Sequence, residues 1–378
     1  MTPTASAERE LFLSTTRAFL DRHGSTGATR ALHAAGASFE REYWRAAAGL
    51  GWSSMLVPEE FGGGSVSGRP LADLAAVAEC VGRAVAPGPL HPVNIVLAGL
   101  VRSAPESHTA LIEGLVSGRL VASWAVYEPG RRFDPHSARG VTASVIESGY
   151  RIEGVKDRVE AGADSDVFLV TAELDETVRQ FVIPRDAPGI RLDPQESIDL
   201  TKRYARVTFE NVSIPATALL GTARDARSVI AHQRRVAIAV QCAETVGLLD
   251  EVLDMTTNWM TERYSFGRPL ASYQALKHRL ADMTMWAYAC RAVTSAAIAA
   301  VDAGRADADE CLSAAKSYLG EHVPRAIQEC IQLHGGIGVT WEHDLHLYLR
   351  RATLYRMMLG TPSEHHRALY RREEEATV

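Results

Sequence analysis

Between about Val121 and Leu220 the chain leaves helical spacing and breaks into short β-rich runs, and helical spacing returns on both sides of that window. Val167-Phe168-Leu169-Val170-Thr171, Gln180-Phe181-Val182-Ile183 and Arg206-Val207-Thr208-Phe209 are such runs, set apart by Gly, Pro and Asp clusters. Branched and aromatic residues bounded by turn formers predict strands, here a mainly antiparallel β domain. Upstream, Leu71, Leu74, Val77 and Val81 fall on one helix face. The stretch Val57 to Gly64 interrupts that texture as a Pro- and Gly-rich loop. From about Asp225 the pattern predicts helices over 228–262, 270–303, 306–333 and 343–358, with Gly304 and Gly335-Gly336 as stops. The expected architecture is α+β: an N-terminal α domain over 1–120, a middle antiparallel β domain over 121–222, and a C-terminal helical bundle over 223–378.

A length of 378 residues with 46% apolar content allows two or three cored domains. A formal charge of −6, with no basic tail, excludes a dedicated nucleic-acid binder. The five cysteines (Cys80, Cys242, Cys290, Cys311 and Cys330) have neither zinc-ligand nor redox spacing, and read as reduced, mostly buried thiols. Met1 to Glu10 lacks the pattern of a signal peptide, and charge interrupts every apolar stretch before it reaches membrane-spanning length. The expectation is a soluble, cytoplasmic protein without a membrane span.

Two segments of the last third carry chemistry. In the first, Arg263 closes a helix whose apolar positions include Val252, Met255 and Trp259, and Phe266-Gly267 follows. Alone, that is equally a helix end with a favourable C-terminal cation and a glycine stop. Gln274 and Ala281-Asp282-Met283 follow at a spacing that adds information. The second segment is Gln332-Leu333-His334-Gly335-Gly336-Ile337-Gly338, where paired glycines let backbone N–H groups approach a ligand. His334, His343 and His346 match no common metal-ligand spacing, so no metal site is expected.

Together these segments resemble the flavin-binding half of the acyl-CoA dehydrogenase family. Leu56 to Gly63 resembles that family's N-terminal loop, and Val207 to Pro215 the strand leaving its β domain. The resemblance spans essentially the whole chain. It implies the family fold, with a C-terminal four-helix bundle, and FAD as cofactor. It also implies α,β-dehydrogenation of an acyl thioester such as acyl-CoA, in lipid metabolism. As partners it implies a homo- or hetero-tetramer with a related subunit, and an electron acceptor such as an electron-transfer flavoprotein. It assigns FAD contacts to Arg263, Phe266, Gln274, Gln332, Gly335, Gly336 and Thr361, several of them reaching a flavin held mainly by a neighbouring subunit. A guanidinium suits a pyrophosphate because its fork pairs two oxygens at once.

The chain departs from the family in one functional group of positions. Where the family has Thr-Glu-Pro and then Gly-Ser, this chain has Tyr127-Glu128-Pro129-Gly130-Arg131-Arg132-Phe133-Asp134. Where the family has Lys-x-Trp-Ile-Thr against the flavin ring, it has Lys156-Asp157-Arg158-Val159-Glu160. The usual position of the catalytic glutamate is Leu359 and the alternative position is Ala237, so the catalytic residue is unknown. Glu364 and Glu244 are near enough in sequence to be substitute bases, but each reads first as a solvated helix residue. The retained set serves a neighbour's flavin and the altered set the chain's own, Thr361 excepted. This division favours a subunit that completes a partner's flavin site. Two alternatives stand beside it: a flavin-dependent oxidase, monooxygenase or specialised-metabolism enzyme on the same fold, and a flavin-free scaffold or acyl-binding protein.

Overall fold

A computed structural model describes residues 3–103, 105–222 and 225–377, so Met1 and Thr2 of the N-terminal stretch lie outside the described residues. In chain order the helices before the sheet are α1 (Pro3–His23), α2 (Thr26–Ala34), α3 (Arg41–Gly49), α4 (Pro70–Ala84), α5 (Leu90–Arg102) and α6 (Thr109–Val116). The sheet strands are β1 (Ala122–Ala125), β2 (Val141–Ile146), β3 (Gly149–Glu160), β4 (Val167–Leu174), β5 (Thr177–Pro184), β6 (Ile190–Gln195) and β7 (Tyr204–Pro215). Then come α7 (Ala226–Glu262), the two-residue strands β8 (Tyr264–Ser265) and β9 (Arg268–Pro269), α8 (Gln274–Asp302), α9 (Ala308–His334), α10 (Leu345–Met357) and α11 (Pro362–Thr377). The α+β class and the helix–sheet–helix order match the sequence reading. Helix α11 was not anticipated, because its residues are mostly polar and carry little apolar periodicity.

The chain divides into two compact units. One comprises the residues up to Phe12, Leu32–Leu74 and Pro87–Ala237; the other comprises Leu13–Ala31, Ala75–Ala86 and Ile238 onward. In the first unit the sheet is mostly antiparallel, with β1 running parallel to β4. Strand β4 is a near-continuous apolar run because it lies between neighbours and is buried almost throughout. In β7 Val212 and Ile214 turn inward while Asn211 and Ser213 face out, the period-two alternation of a strand with one wet face. Phe168, Phe181, Val207 and Phe209 join them in one core.

Strand β3 breaks register against β7 between Lys156 and Val159. Two residues, Asp157 and Arg158, oppose one there, and Arg158 takes the left-handed φ of +47°. This is a β-bulge, which re-aims a side chain by local twist. Beside it Lys156 is buried and its Nζ donates to Glu128 Oε1 at 3.0 Å.

In the second unit helices α4 and α7 approach at reciprocal glycines. A Cβ on Gly82 would lie 2.1 Å from Glu244 O, and one on Gly247 2.0 Å from Glu79 O. No larger residue fits that crossing. Arg291 clamps the same region, donating to Glu79 at 2.8 Å and to Asp250. Lys316, buried on α9, donates to Tyr355 O, one of the C-terminal carbonyls of α10 that has no helical partner.

Burial pulls the Lys316 ammonium from 10.5 to about 8. The unfolded chain therefore keeps a proton that the folded chain releases between pH 8 and 10.5, so this group makes stability rise with pH across that window. Lys156 is displaced downward to about 8 by burial as well, against the opposing pull of Glu128. Urea midpoints at pH 7.5 and 9.5, values chosen to bracket the titration of about 8, are expected to show a smaller rise in Lys316→Met than in the parent. An unchanged slope would mean that Lys316 does not titrate there.

Candidate functional site

The hairpin after α7 is the most unusual local feature of the second unit. Phe266 and Gly267 both have positive φ, +52° and +80°, the signature of the tight turn that matches strand twist. Glycine accepts that conformation, whereas phenylalanine is strained in it. The strain is held by packing beneath: Tyr273 Oη donates to Ser265 O at 2.8 Å, and the Arg268 guanidinium lies 3.8 Å over the Tyr273 ring. The Phe266 side chain is 96% exposed. A rigid turn that presents a bare aromatic ring to solvent is shaped for something outside this chain.

Beside the hairpin is a cleft of about 650 Å³ whose lining includes Trp259, Arg263, Gln332, His334, Gly335 and Gly336. Helix α9 ends at Gly335, with φ of +66° and ψ of −141°. A Cβ on Gly335 or Gly336 would meet nothing within 4 Å, so the backbone there faces open space. Its floor is aromatic: Trp259 stacks on His334 at 5.2 Å, and His334 meets His343 edge-on at 4.7 Å. His334 Nδ1–H donates to Cys330 O at 2.8 Å, and burial lowers its pKa. The Arg263 guanidinium lies 5.7 Å over Trp259 and is otherwise exposed. An open backbone, a cation and an aromatic floor together suit an anionic ligand that carries a flat ring system. Of the expected cofactor residues, Arg263, Gln332, Gly335 and Gly336 line this cleft, whereas Phe266, Gln274 and Thr361 do not. Gln274 is exposed at the start of α8. Thr361 precedes α11, and both its N–H and its hydroxyl donate to Glu364 Oε2, at 2.8 and 3.0 Å.

That bond corrects one expectation: Glu364 is the far arm of a capping box on α11, not a solvated side chain. Glu244 requires a larger correction. It is fully buried, and its carboxylate accepts from Arg351 Nη1 at 2.8 Å. Two helices crossing at glycine leave it no water. Leu359 is buried, with φ of +60°, and its carbonyl faces His365 Nε2 at 3.0 Å. Ala237 is buried within α7.

In the first unit the bulge of β3 aims Arg158 across Tyr127, its guanidinium 4.5 Å over the phenol ring. Arg158 Nη2 donates to Glu128 O at 3.2 Å and to Arg131 O at 3.1 Å. Gln195 Oε1 accepts from the Arg158 N–H at 3.0 Å, and Gln195 Nε2 donates to Asp157 at 2.7 Å. Lys202 Nζ closes on Glu160 at 3.0 Å. The residues at the flavin-ring positions of the family are thus paired among themselves. The Tyr127–Arg158 pair lies at the positions where the family carries the threonine and tryptophan of its flavin-ring motifs, and offers a phenol and a guanidinium in their place. Sequence alone showed the substitutions but not the bulge. Its only signal was three consecutive polar residues, Lys156-Asp157-Arg158, in a strand that also carries Arg151, Glu153 and Glu160.

The chain belongs to the acyl-CoA dehydrogenase family: residues 225–373 match the acyl-CoA dehydrogenase C-terminal domain and residues 6–117 the acyl-CoA dehydrogenase N-terminal domain. Members are flavoprotein oxidoreductases acting on CH–CH bonds in lipid metabolism. The chain is 30% identical to acyl-CoA dehydrogenase IpdE2 of Mycolicibacterium smegmatis, over 96% of this chain and 98% of that one. It is 32% identical to acyl-CoA dehydrogenase FadE34 of Mycobacterium tuberculosis, over 93% of this chain and 45% of that longer one. Among solved structures, a variant of the Tcur3481-Tcur3483 steroid acyl-CoA dehydrogenase superposes with a TM-score of 0.88 at 27% identity, covering 99% of each chain. No helix among the described residues is long and apolar enough to cross a membrane.

Proposed function

We propose that this chain serves FAD-dependent α,β-dehydrogenation of an acyl-CoA as one subunit of a hetero-tetramer, completing a flavin site whose ring and base belong to a related subunit. The observation that carries this reading is the contrast between the two units. The cleft at Arg263, Gln332, Gly335 and Gly336 is open, while the ring positions of the β domain are occupied by Tyr127 and Arg158.

When bound, FAD supplies the hydride acceptor of the reaction. This chain's part is to bind and orient. Arg263 offers a guanidinium fork to a diphosphate, the N–H groups around Gly335 and Gly336 line its path, and Phe266 extends an apolar ring toward the partner. Gln274 and Thr361 belong to the same proposed contact set. No carboxylate stands at Leu359 or Ala237, and Glu244 is held by Arg351. Proton removal from the substrate therefore falls to the partner. The similarity to a steroid acyl-CoA dehydrogenase supports a bulky acyl substrate, an electron-transfer flavoprotein is the proposed acceptor, and the cytoplasm the proposed location.

The chain purified alone under native conditions is expected to carry far less than one FAD per protomer and to show no substrate-dependent flavin bleaching. Co-expression with a glutamate-bearing homologue is expected to give a complex with one FAD per pair of unlike chains. A chain that alone holds stoichiometric FAD and is reduced by acyl-CoA would overturn the reading.

A further inference from the structure

His334, His343 and His346 surround the segment that joins α9 to α10 and begins at the glycine pair of the cleft. Little apolar burial holds that segment. From Gly335 to Glu342 only Gly338 is buried, and Ile337, Val339 and Trp341 face solvent. Such a stretch opens at low cost unless polar contacts close it. Those contacts converge on Arg30 of α2. Its Nε and Nη2 donate to Asp344 Oδ1 at 3.1 and 2.8 Å, and Nη2 also reaches His343 O and His346 Nε2, each at 3.3 Å. Its guanidinium lies 5.2 Å over the Trp341 ring, on which His346 stacks at 4.5 Å. Thr26 Oγ1 adds a bond to Asp344 Oδ2 at 2.7 Å.

Two acceptors in this network exist only on neutral rings. A guanidinium has donors and no acceptor, so His346 Nε2 must keep its lone pair to meet Arg30. His343 Nδ1 must do the same, because it accepts the Leu345 N–H at 3.3 Å. That N–H is the first of α10, and the N-cap residue Asp344 leaves it free by turning its carboxylate to α2. A proton on His346 sets a second cation against Arg30, with Arg350 also 5.9 Å from the shared Trp341 ring. A proton on His343 removes the cap of α10 and puts a charge at the positive end of its dipole, edge-on to His334 at 4.7 Å. Burial first, and then Arg30 and Arg350, hold the His346 pKa below 6.5 against the Trp341 backbone and Asp344. Burial and Arg30 do the same for His343 against Asp344.

We propose that the segment from Gly335 to Asp344 is a proton-operated latch, closed by Arg30 while His343 and His346 are neutral and released when they take up protons. The open segment takes protons at the ordinary 6.5 and the closed one only at lower pH, so closure is firm above 6.5 and weakens as pH falls below it. Release withdraws the backbone at Gly335 and Gly336 from the cleft, so an anion held there leaves on acidification. The latch does not rest on the subunit reading, since its groups all lie in one unit and its test needs no flavin.

The experiment is hydrogen–deuterium exchange of the full-length chain, read by mass spectrometry between about pH 8 and about pH 5, a range that brackets 6.5. Dividing by the rates of unstructured peptides of the same sequence removes the intrinsic pH dependence of exchange. The Thr340 N–H donates to Ile337 O at 3.0 Å and the Leu345 N–H to His343, so peptides containing them report closure. Their protection is expected to fall by about tenfold or more across that range, while β4 and the middle of α9 stay protected. His343→Asn with His346→Gln keeps an acceptor at each place that takes no proton, and should hold protection nearly level with pH. Arg30→Met should leave the segment exchanging fast throughout, and it keeps the test decisive if the double variant misfolds. Protection in the parent that ignores pH, loss spread equally over β4 and α9, an Arg30→Met segment as protected as the parent's, or a folded double variant that falls as steeply would each overturn the latch.

Discussion

Glu244→Ala is expected to lower the unfolding free energy by about 3–5 kcal/mol, the cost of leaving one member of a buried ion pair alone. Arg351 and Glu244 both have side chains of 0% exposure, with Nη1 to Oε1 at 2.8 Å. Arg351 Nη1 also reaches Ala86 O at 3.3 Å, so the guanidinium ties α10 to the end of α4 as well as to α7. The surroundings cannot relax around a lone charge, because Gly82 brings the backbone of α4 against the carbonyl of Glu244 itself. Arg351→Met should cost a similar amount for the complementary reason. The double variant Glu244→Ala/Arg351→Met should lose less than the sum, since it leaves no buried charge. Urea unfolding of the four proteins at one pH measures this cycle. Single variants within about 1 kcal/mol of the parent would show that water reaches the pair. The result also separates stability from catalysis: any activity lost in Glu244→Ala should follow the folded fraction and not a change in proton transfer.

Sequence and structure agree where one signal determined the outcome, and differ where several residues had to meet. Leu71, Leu74, Val77 and Val81 lie on one face and are all buried in α4, because helical period alone settles that face. The long α7, α8 and α9 were legible for the same reason, as were the stops at Gly304 and Gly335. The site was half legible. Arg263 and the Gly335-Gly336 pair are far apart in sequence yet line one cleft, and only the family resemblance joined them beforehand. Glu244 was misread because nothing in α7 announces Arg351, over a hundred positions later, as its partner. Glu364 was misread although Thr361-Pro362-Ser363-Glu364 has the spacing of a capping box. The signal was present, and α11 had not been expected for it to start. The bulge at Asp157-Arg158 had no periodic signature, since a register break depends on the neighbouring strand.

Leu359→Glu, made in the chain alone, is expected to leave acyl-CoA dehydrogenation at background. In an acyl-CoA dehydrogenase that holds its own flavin, a positioned base is worth a rate factor of about 10²–10⁴, or roughly 3–5 kcal/mol of barrier. The backbone here would accept the replacement. Leu359 already has φ of +60°, followed by Gly360 at +99°, and the turn is pinned by His365, whose ring meets Leu359 O at 3.0 Å and Ser313 Oγ at 3.2 Å. A Cβ on Gly360 would come 2.7 Å from His365 Nε2, so the turn has one shape, and glutamate adds no backbone demand beyond that of leucine. On the proposed subunit reading, the variant would still lack a ring for the substrate to reduce, because Tyr127 and Arg158 replace the family's ring-contacting residues in the β domain. The two deficits are therefore expected to be separable. Tyr127→Thr, Arg158→Trp and Glu160→Thr together should raise the FAD bound per protomer without conferring activity, and activity should emerge only when Leu359→Glu is added to them. Absorbance at the flavin band and dye-linked turnover with a panel of acyl-CoA thioesters measure both quantities on the same samples. Turnover in Leu359→Glu alone would mean that the chain already held a working flavin, and the division of labour between unlike subunits would fall with it.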